Sequence, residues 1–134
     1  MKSYTIEHVG IAADDTAALA SWYEQALGFS EFFRTEGEQP TIFLEDGSGT
    51  AVEIFARNKA ESKPGFDHRT GMHLAIAVED FDAAVADLEH RGVIFLGEPK
   101  QVFFSGRAWF FADPEGNRLH IVHRPTTPWK RKSL

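Results

Sequence analysis

Gly49-Thr-Ala-Val-Glu-Ile-Phe-Ala-Arg57 returns later in the chain, with chemically telling changes, as Gly116-Asn-Arg-Leu-His-Ile-Val-His-Arg124. The offset is constant, because 116 minus 49 and 120 minus 53 are both 67. Carried backwards, the same register aligns Phe43-Leu-Glu-Asp-Gly-Ser with Phe110-Phe-Ala-Asp-Pro-Glu. Each copy therefore reads as an apolar strand, an Asp-led turn, a Gly and a second strand. Glu53 and His120 occupy one equivalent position. Both are of a type that binds metals, and both lie inside otherwise apolar strands, where an unpaired polar group is costly to bury.

The repeat extends to the starts of the two halves. His8-Val-Gly-Ile-Ala-Ala-Asp-Asp15 matches His73-Leu-Ala-Ile-Ala-Val-Glu-Asp80 at an offset of 65, so His8 and His73 are also equivalent. Two extra residues in the loops of the second half account for the change from 65 to 67. Such self-similarity marks an internal duplication.

Each half has the same order of elements. In the first, Tyr4 to Ala12 reads as a strand, and Asp14-Asp15-Thr16 caps a helix whose apolar stripe is Leu19, Trp22, Tyr23, Ala26 and Leu27 and which Gly28 ends. Phe29 to Arg34, Thr41 to Glu45 and Thr50 to Arg57 read as strands. In the second, Met72 to Val78 is a strand and Asp80 caps a helix with its stripe at Phe81, Ala84, Val85 and Leu88, closed by Gly92. Val93 to Leu96, Gln101 to Phe104, Arg107 to Ala112 and Asn117 to His123 carry strand residues. The expected fold is α+β: two tandem βαβββ modules forming a curled mixed sheet around a central cavity. One domain spans residues 1–134, with module 1 at about 1–57, a linker at about 58–71 rich in Lys, Glu, Ser, Pro and Gly, module 2 at about 72–124 and a C-terminal tail at 125–134.

Strand alternation assigns faces. His73 shares a face with Ala75 and Ala77, while Leu74, Ile76 and Val78 share the other, which should lie under the helix. By the same parity Glu53 faces away from Val52 and Ile54, and His120 away from Leu119 and Ile121. Gly10 beside His8 leaves room for a ligand. Modules curling toward one another would gather His8, Glu53, His73 and His120 around a pseudo-twofold axis, a set of three imidazoles and one carboxylate suited to Zn, Ni, Co, Fe(II) or Mn.

Composition narrows the function. With no cysteine, disulfides, thiolate zinc sites and cysteine nucleophiles are excluded, which leaves nitrogen and oxygen ligands. A formal net charge of -6 argues against a general binder of nucleic acid. Lys130-Arg-Lys132 reads as a solvated end. No apolar run reaches the roughly 18 residues of a membrane span and no signal core opens the chain, so a cytoplasmic protein is expected. His123 reads as structural or exposed, His90 as a favourable charge at a helix end, and His68 and Arg69 as solvated loop residues. Phe103, Phe104, Trp109, Phe110 and Phe111 should divide between core and cavity. Arg107 and Arg118 are candidates for binding a carboxylate.

The paired modules, the His-Val-Gly-Ile and His-Leu-Ala-Ile starts and the Asp-Pro-Glu-Gly-Asn turn together resemble the vicinal oxygen chelate superfamily, which includes glyoxalase, extradiol dioxygenases, methylmalonyl-CoA epimerase and the fosfomycin and bleomycin resistance proteins. The resemblance covers nearly the whole chain. It implies one divalent metal ion held by His8, Glu53, His73 and His120, a small-molecule substrate with adjacent oxygens, and a homodimer. The four-position set most resembles glyoxalase, with His120 where those enzymes commonly carry a Glu. The implied function is a glyoxalase-like lyase or isomerase acting through a metal-stabilised enolate, with Glu53 as the catalytic base. The alternatives are an extradiol-type dioxygenase and a non-catalytic ligand-binding or antibiotic-resistance protein of the bleomycin-resistance type.

Overall fold

The computed structural model describes residues 2–58 and 71–126. These fall into two compact units, one within Met1–Lys63 and the other within Pro64–Leu134. The first contains β1 (His8–Ala13), α1 (Thr16–Leu27), β2 (Ser30–Arg34), β3 (Ile42–Glu45) and β4 (Ala51–Ala56). The second contains β5 (Leu74–Ala77), α2 (Phe81–His90), β6 (Phe95–Val102), β7 (Gly106–Ala112) and β8 (Arg118–His123). Each unit is therefore a βαβββ module, and the class is α+β. His68, Arg69 and Lys130 to Lys132 lie outside the described residues.

Within each unit the four strands make one mixed sheet. The orders are β1-β4-β3-β2 and β5-β8-β7-β6. The first strand of the module pairs parallel with the last, and the remaining pairs are antiparallel. A parallel pair needs a long crossover, and in both units the helix and two strands supply it.

The helices begin and end as their sequences dictate. The Asp15 side chain accepts from the Ala18 N–H at 3.0 Å, and Asp80, 65 residues on, accepts from the Ala83 N–H at 3.0 Å. Each satisfies one of the donors that a helix N-terminus leaves unpaired. Gly28 ends α1 with φ 72°. After α2 the Gly92 N–H bonds to Glu89 O and the Val93 N–H to Leu88 O, the paired closure that needs a left-handed residue, here Gly92 at φ 93°.

The core of the first unit joins Leu19, Ala20, Tyr23 and Ala26 of α1 to Ile11, Ile42, Leu44, Val52 and Ile54, all buried. These sheet residues are every second position of their strands, so the helix covers one face. In the second unit Phe81 and Leu88 of α2, with Val93, Phe111, Leu119 and Ile121, form the buried apolar set. Full burial of a side chain such as Leu19 or Phe111 contributes about 1.5–3 kcal/mol relative to exposure.

Several boundaries differ from the sequence reading, among them the expected strand Met72 to Val78, which is β5 from Leu74 to Ala77 and leaves His73 just before it. β1 starts at His8 rather than Tyr4, because His8 faces Ala51 and the residues before 51 are the turn after β3. Tyr4 and Ile6 have no ladder partner and are 84% and 88% exposed. Val93 to Leu96 and Gln101 to Phe104 are not separate strands: β6 runs through Gly97 and Pro99 as a bulge, with the register shifting between Leu96 and Lys100 and Gly97 at φ 62°. Phe103 precedes, and Phe104 and Ser105 form, a left-handed turn, with φ 62° at Phe104 and 54° at Ser105.

Candidate functional site

β4 and β8 are aimed by their turns. Asp46 Oδ1 accepts from the Ser48 N–H (2.8 Å), Ser48 Oγ (2.7 Å) and the Thr50 N–H (2.9 Å), with Gly49 at φ 91°. Burial pushes the Asp46 carboxyl up, but hydrogen bonds from Ser48 Oγ and from the backbone N–H groups of Thr50, Ser48 and Gly49 outweigh it and hold the group below its ordinary value. Asp113, 67 residues on, repeats the device: Oδ1 accepts from the Glu115 and Asn117 N–H groups at 2.9 Å each, and Oδ2 from Asn117 Nδ2 at 2.8 Å. Gly116 has φ 86°. Here the turn is buried, with Asp113 4% and Asn117 3% exposed.

From these turns the two sheets build matching rows across the face that the helices leave uncovered. In the first unit the register places Phe33 beside Phe43, Phe43 beside Glu53 and Glu53 beside Gly10. In the second it places Leu96 beside Phe110, Phe110 beside His120 and His120 beside Ala75. The repeat-related positions 43 and 110, 53 and 120, and 10 and 75 thus have equivalent places. Glu53 and His120 project from the helix-free face, as their parity predicts.

The first unit brings His8 and Glu53 together. His8 Nε2 lies 3.8 Å from Glu53 Oε1, and the two side chains are 30% and 24% exposed. On the other edge of the ring, His8 Nδ1 is 2.9 Å from Glu7 Oε1. A carboxylate only accepts, so Nδ1 is the donor of that hydrogen bond and Nε2 is the ring atom turned toward Glu53. An outer carboxylate that fixes a histidine in this way is a common support for a metal-ligating imidazole. The distance of 3.8 Å is too long for a hydrogen bond. Two donors on one ion at the usual bond lengths stand about 3.0–3.4 Å apart, which a small side-chain rotation reaches.

Gly10 preserves this arrangement. A Cβ there would stand 3.2 Å from Phe55 Cε1 and 3.5 Å from Glu53 Oε1, so the missing side chain admits the ring and the carboxylate side by side. Phe43 meets the His8 ring edge to face, with centroids 5.4 Å apart at 78°.

The second unit brings His73 and His120 together. Their ring centroids are 4.7 Å apart at 82°. His120 is 7% exposed and stacks on Phe110 at 4.8 Å and 23°, while Phe110 meets His73 edge to face at 5.6 Å and 75°. That last contact has nearly the geometry of the Phe43–His8 contact. Phe43 and Glu7 are supporting residues that the sequence reading did not assign, while Phe110 is among the aromatics expected to divide between core and cavity; the 67-residue register already related Phe43 to Phe110.

Each unit therefore supplies two of the four expected ligands. Among the described residues, no group of three or more His, Asp or Glu is gathered closely enough to hold a metal ion. Within each unit the pair consists of nitrogen and oxygen donors, types that suit a divalent ion, and is braced by a Phe ring.

The remaining candidates fall elsewhere. His123 Nδ1 lies 3.1 Å from Val78 O, a structural contact. His90 is in the last turn of α2. Trp109 stacks on Phe95, donates from Nε1 to Gly97 O at 3.2 Å and lies on the helix side with buried Phe111. Phe103 and Phe104 are exposed beside and in the turn. Of the five aromatics expected to divide between core and cavity, Phe110 alone faces the histidine pair, whereas Phe33 and Phe55 add exposed rings to the Glu53 face of the first unit. No helix among the described residues is long and apolar enough to cross a membrane.

Comparison with known proteins agrees with this architecture. The chain is 31% identical over 123 residues to the uncharacterized protein YaeR of Escherichia coli K12, a match covering 89% of this chain and 95% of that protein. A glyoxalase family protein from Enterococcus faecalis has a similar structure, with 26% identity, a TM-score of 0.73 and coverage of 88% of this chain and 96% of its own. A variant of a fosfomycin resistance protein from Listeria monocytogenes, complexed with Mn(II) and a dihydroxypropylphosphonic acid, shares the fold at 15% identity, with a TM-score of 0.70 and 90% of each chain covered. Residues 5–121 match the family description itself, and the chain belongs to the Glyoxalase/Bleomycin resistance protein/Dioxygenase superfamily.

Proposed function

We propose that the protein is a metal-dependent enzyme of the glyoxalase-like type, binding one divalent ion through His8, Glu53, His73 and His120 and acting on a small molecule with adjacent oxygens. The observation that carries this reading is the repetition of a donor pair at repeat-related positions: His8 with Glu53 at 3.8 Å and His73 with His120 at a ring separation of 4.7 Å. A divalent ion bound there would supply Lewis acidity, polarising neighbouring substrate oxygens and stabilising the negative charge of an enolate.

The chain's own residues divide the remaining work. Glu53 is the sole carboxylate of the set and the candidate base, taking the proton alpha to a carbonyl at one of its oxygens and returning it. Its partial exposure of 24% leaves it open to a ligand. His8 is oriented by Glu7, whose exposed carboxylate meets Nδ1 at 2.9 Å. Phe110 stacked on His120 and Phe43 against His8 restrict the rings, and the exposed Phe33 and Phe55 rings add apolar surface for the rest of the substrate.

Elemental analysis of protein purified without added metal tests the binding step. About one equivalent is expected in the wild type and a clear loss in His8→Ala and Glu53→Ala; equal content in all three would overturn the site. Mixing His8→Ala with His73→Ala protein shows whether donors are shared in a homodimer, since only subunit sharing restores uptake. For chemistry, exchange of an alpha proton of a dicarbonyl in D2O should need Glu53 and persist in anaerobic buffer. Glu53→Gln that retains metal and exchanges at the wild-type rate would refute the base assignment. Catechol cleavage by anaerobically iron-loaded protein would favour the dioxygenase reading, and tight ligand binding with no metal the binding-protein reading.

A further inference from the structure

The arginines separate into two kinds. Four of the six among the described residues pair with a carboxylate: Arg34 with Glu31 at 2.7 Å, Arg57 with Asp14 at 3.1 Å, Arg91 with Asp87 at 3.1 Å and Arg107 with Asp82 at 3.3 Å. Arg124 lies over the Phe103 ring, 4.6 Å from its centroid. Arg118 has no such partner among the described residues, although it is half-buried. A cation partly withdrawn from water without a counter-ion is unfavourable unless something else supplies the charge.

Its place says what that is. Arg118 opens β8 two residues before His120, on the same strand face, about 6–7 Å along the strand. The residue opposite it in β7 is Ala112, next to Phe110 in the alternation, so no large side chain fills the neighbouring position on that face. Lys100, across β7, places its ammonium 5.8 Å from the Phe110 ring centroid. Arg107, the other arginine that the sequence singled out, is on the opposite face, where it lies 4.2 Å from the Phe81 ring centroid and pairs with Asp82. The repeat itself does not require a charge at this position, since the equivalent residue 67 positions earlier is Ala51.

We infer that Arg118 is the specificity-determining residue for an oxyanion on the ligand, a carboxylate or a phosphate group bound beside the His73–His120 pair. The guanidinium offers a planar fork of donors that matches either group, which an ammonium does not. This inference deepens the metal-site reading and rests on it for the position of the rest of the ligand.

The test is a titration of ¹⁵N-labelled protein, metal-free and zinc-loaded, with pyruvate and with inorganic phosphate, using uncharged methyl pyruvate as the control. At least one anion is expected to shift the Arg118 side-chain N–H signal and to bind tenfold or more tighter than the ester. Arg118→Gln should weaken that anion by about tenfold to a hundredfold, the range for one charge-assisted contact, and leave the ester unchanged. Arg118→Lys should recover part of the loss. Pyruvate alone identifies a carboxylate site and phosphate alone a phosphate site. Failure of both anions to bind, or equal affinity in wild type and Arg118→Gln, overturns the inference. Metal content measured on the same samples separates the two readings: normal metal with Arg118-independent binding sinks this inference alone, and Arg118-dependent binding without metal uptake sinks the metal site alone.

Discussion

Because the duplicated chain contains the same turn twice, it offers one perturbation in two environments. Asp113→Ala removes an acceptor of three hydrogen bonds, at 2.9, 2.9 and 2.8 Å, in a turn whose Asp and Asn are 4% and 3% exposed. The N–H and carboxamide of Asn117 would be left buried without that acceptor. A hydrogen bond to a charged group is worth about 1.5–3 kcal/mol and a stranded buried donor costs about 1–3, with strong overlap between the two. The expected loss is about 3–5 kcal/mol. Asp46→Ala removes three bonds of similar length, at 2.8, 2.7 and 2.9 Å, but they are solvent-exposed, water can replace them, and the expected loss is about 1 kcal/mol. Urea denaturation of both variants, with ΔG from linear extrapolation at matched m-values, gives the comparison. Equal losses, or a larger loss for Asp46→Ala, would refute the argument that burial rather than hydrogen-bond count sets the strength of these turns. Since β8 starts one residue after Asn117, Asp113→Ala should also weaken metal uptake at His120.

Three further outcomes follow from the same geometry. Gly106→Ala should destabilise by about 1–3 kcal/mol in a urea titration, because the new Cβ would stand 2.9 Å from His123 O, a backbone atom that cannot step aside. Gly10→Val should displace Phe55 and the Glu53 carboxylate and cost metal affinity out of proportion to stability, read by comparing metal content with thermal melting; unchanged metal content would remove Gly10 from the site. For Asp46, the folded value lies below the unfolded one of about 3.8, so its stabilisation is complete above that value and is lost as pH falls through the folded value. The stability difference between wild type and Asp46→Asn should therefore be flat from pH 7 to 5 and shrink below about pH 4.

How much of this was legible in the chain depends on which interactions a linear pattern can carry. The offsets of 65 and 67 made Glu53 equivalent to His120 and His8 to His73, and strand parity turned Glu53 and His120 away from the apolar face; that Glu53 lies beside Gly10 and His120 beside Ala75 comes from the ladders. The caps at Asp15 and Asp80 were equally plain, because one side chain and one N–H three residues on determine them. What escaped depends on neighbours distant in sequence. Tyr4 and Ile6 have the alternation of a strand, but no residue before Ala51 offers them a ladder. Gly97 and Pro99 look like breakers, yet β7 continues alongside and β6 absorbs them as a bulge. Phe103 and Phe104 have strand propensity, and the tight return into β7 puts Phe104 in a left-handed conformation instead. The Phe brace against each histidine is a contact between strands and leaves no mark in any single stretch.

One substitution within this frame has an electrical consequence. Position 120 occupies the same niche beside Phe110 and Ala75 that position 53 occupies beside Phe43 and Gly10, but it holds an imidazole in place of a carboxylate. If all three imidazoles bind as neutral ligands beside Glu53, the donor set carries a single negative charge, so a divalent ion in the proposed site would keep an excess positive charge, whereas a second carboxylate would cancel it. In the proposed site the exchange of one side chain would thus replace an electrically balanced centre by one that attracts anions, without altering the strands that hold it. On a chain with an overall charge of -6, that difference is confined to the site and opposes the sign of the protein's surface as a whole.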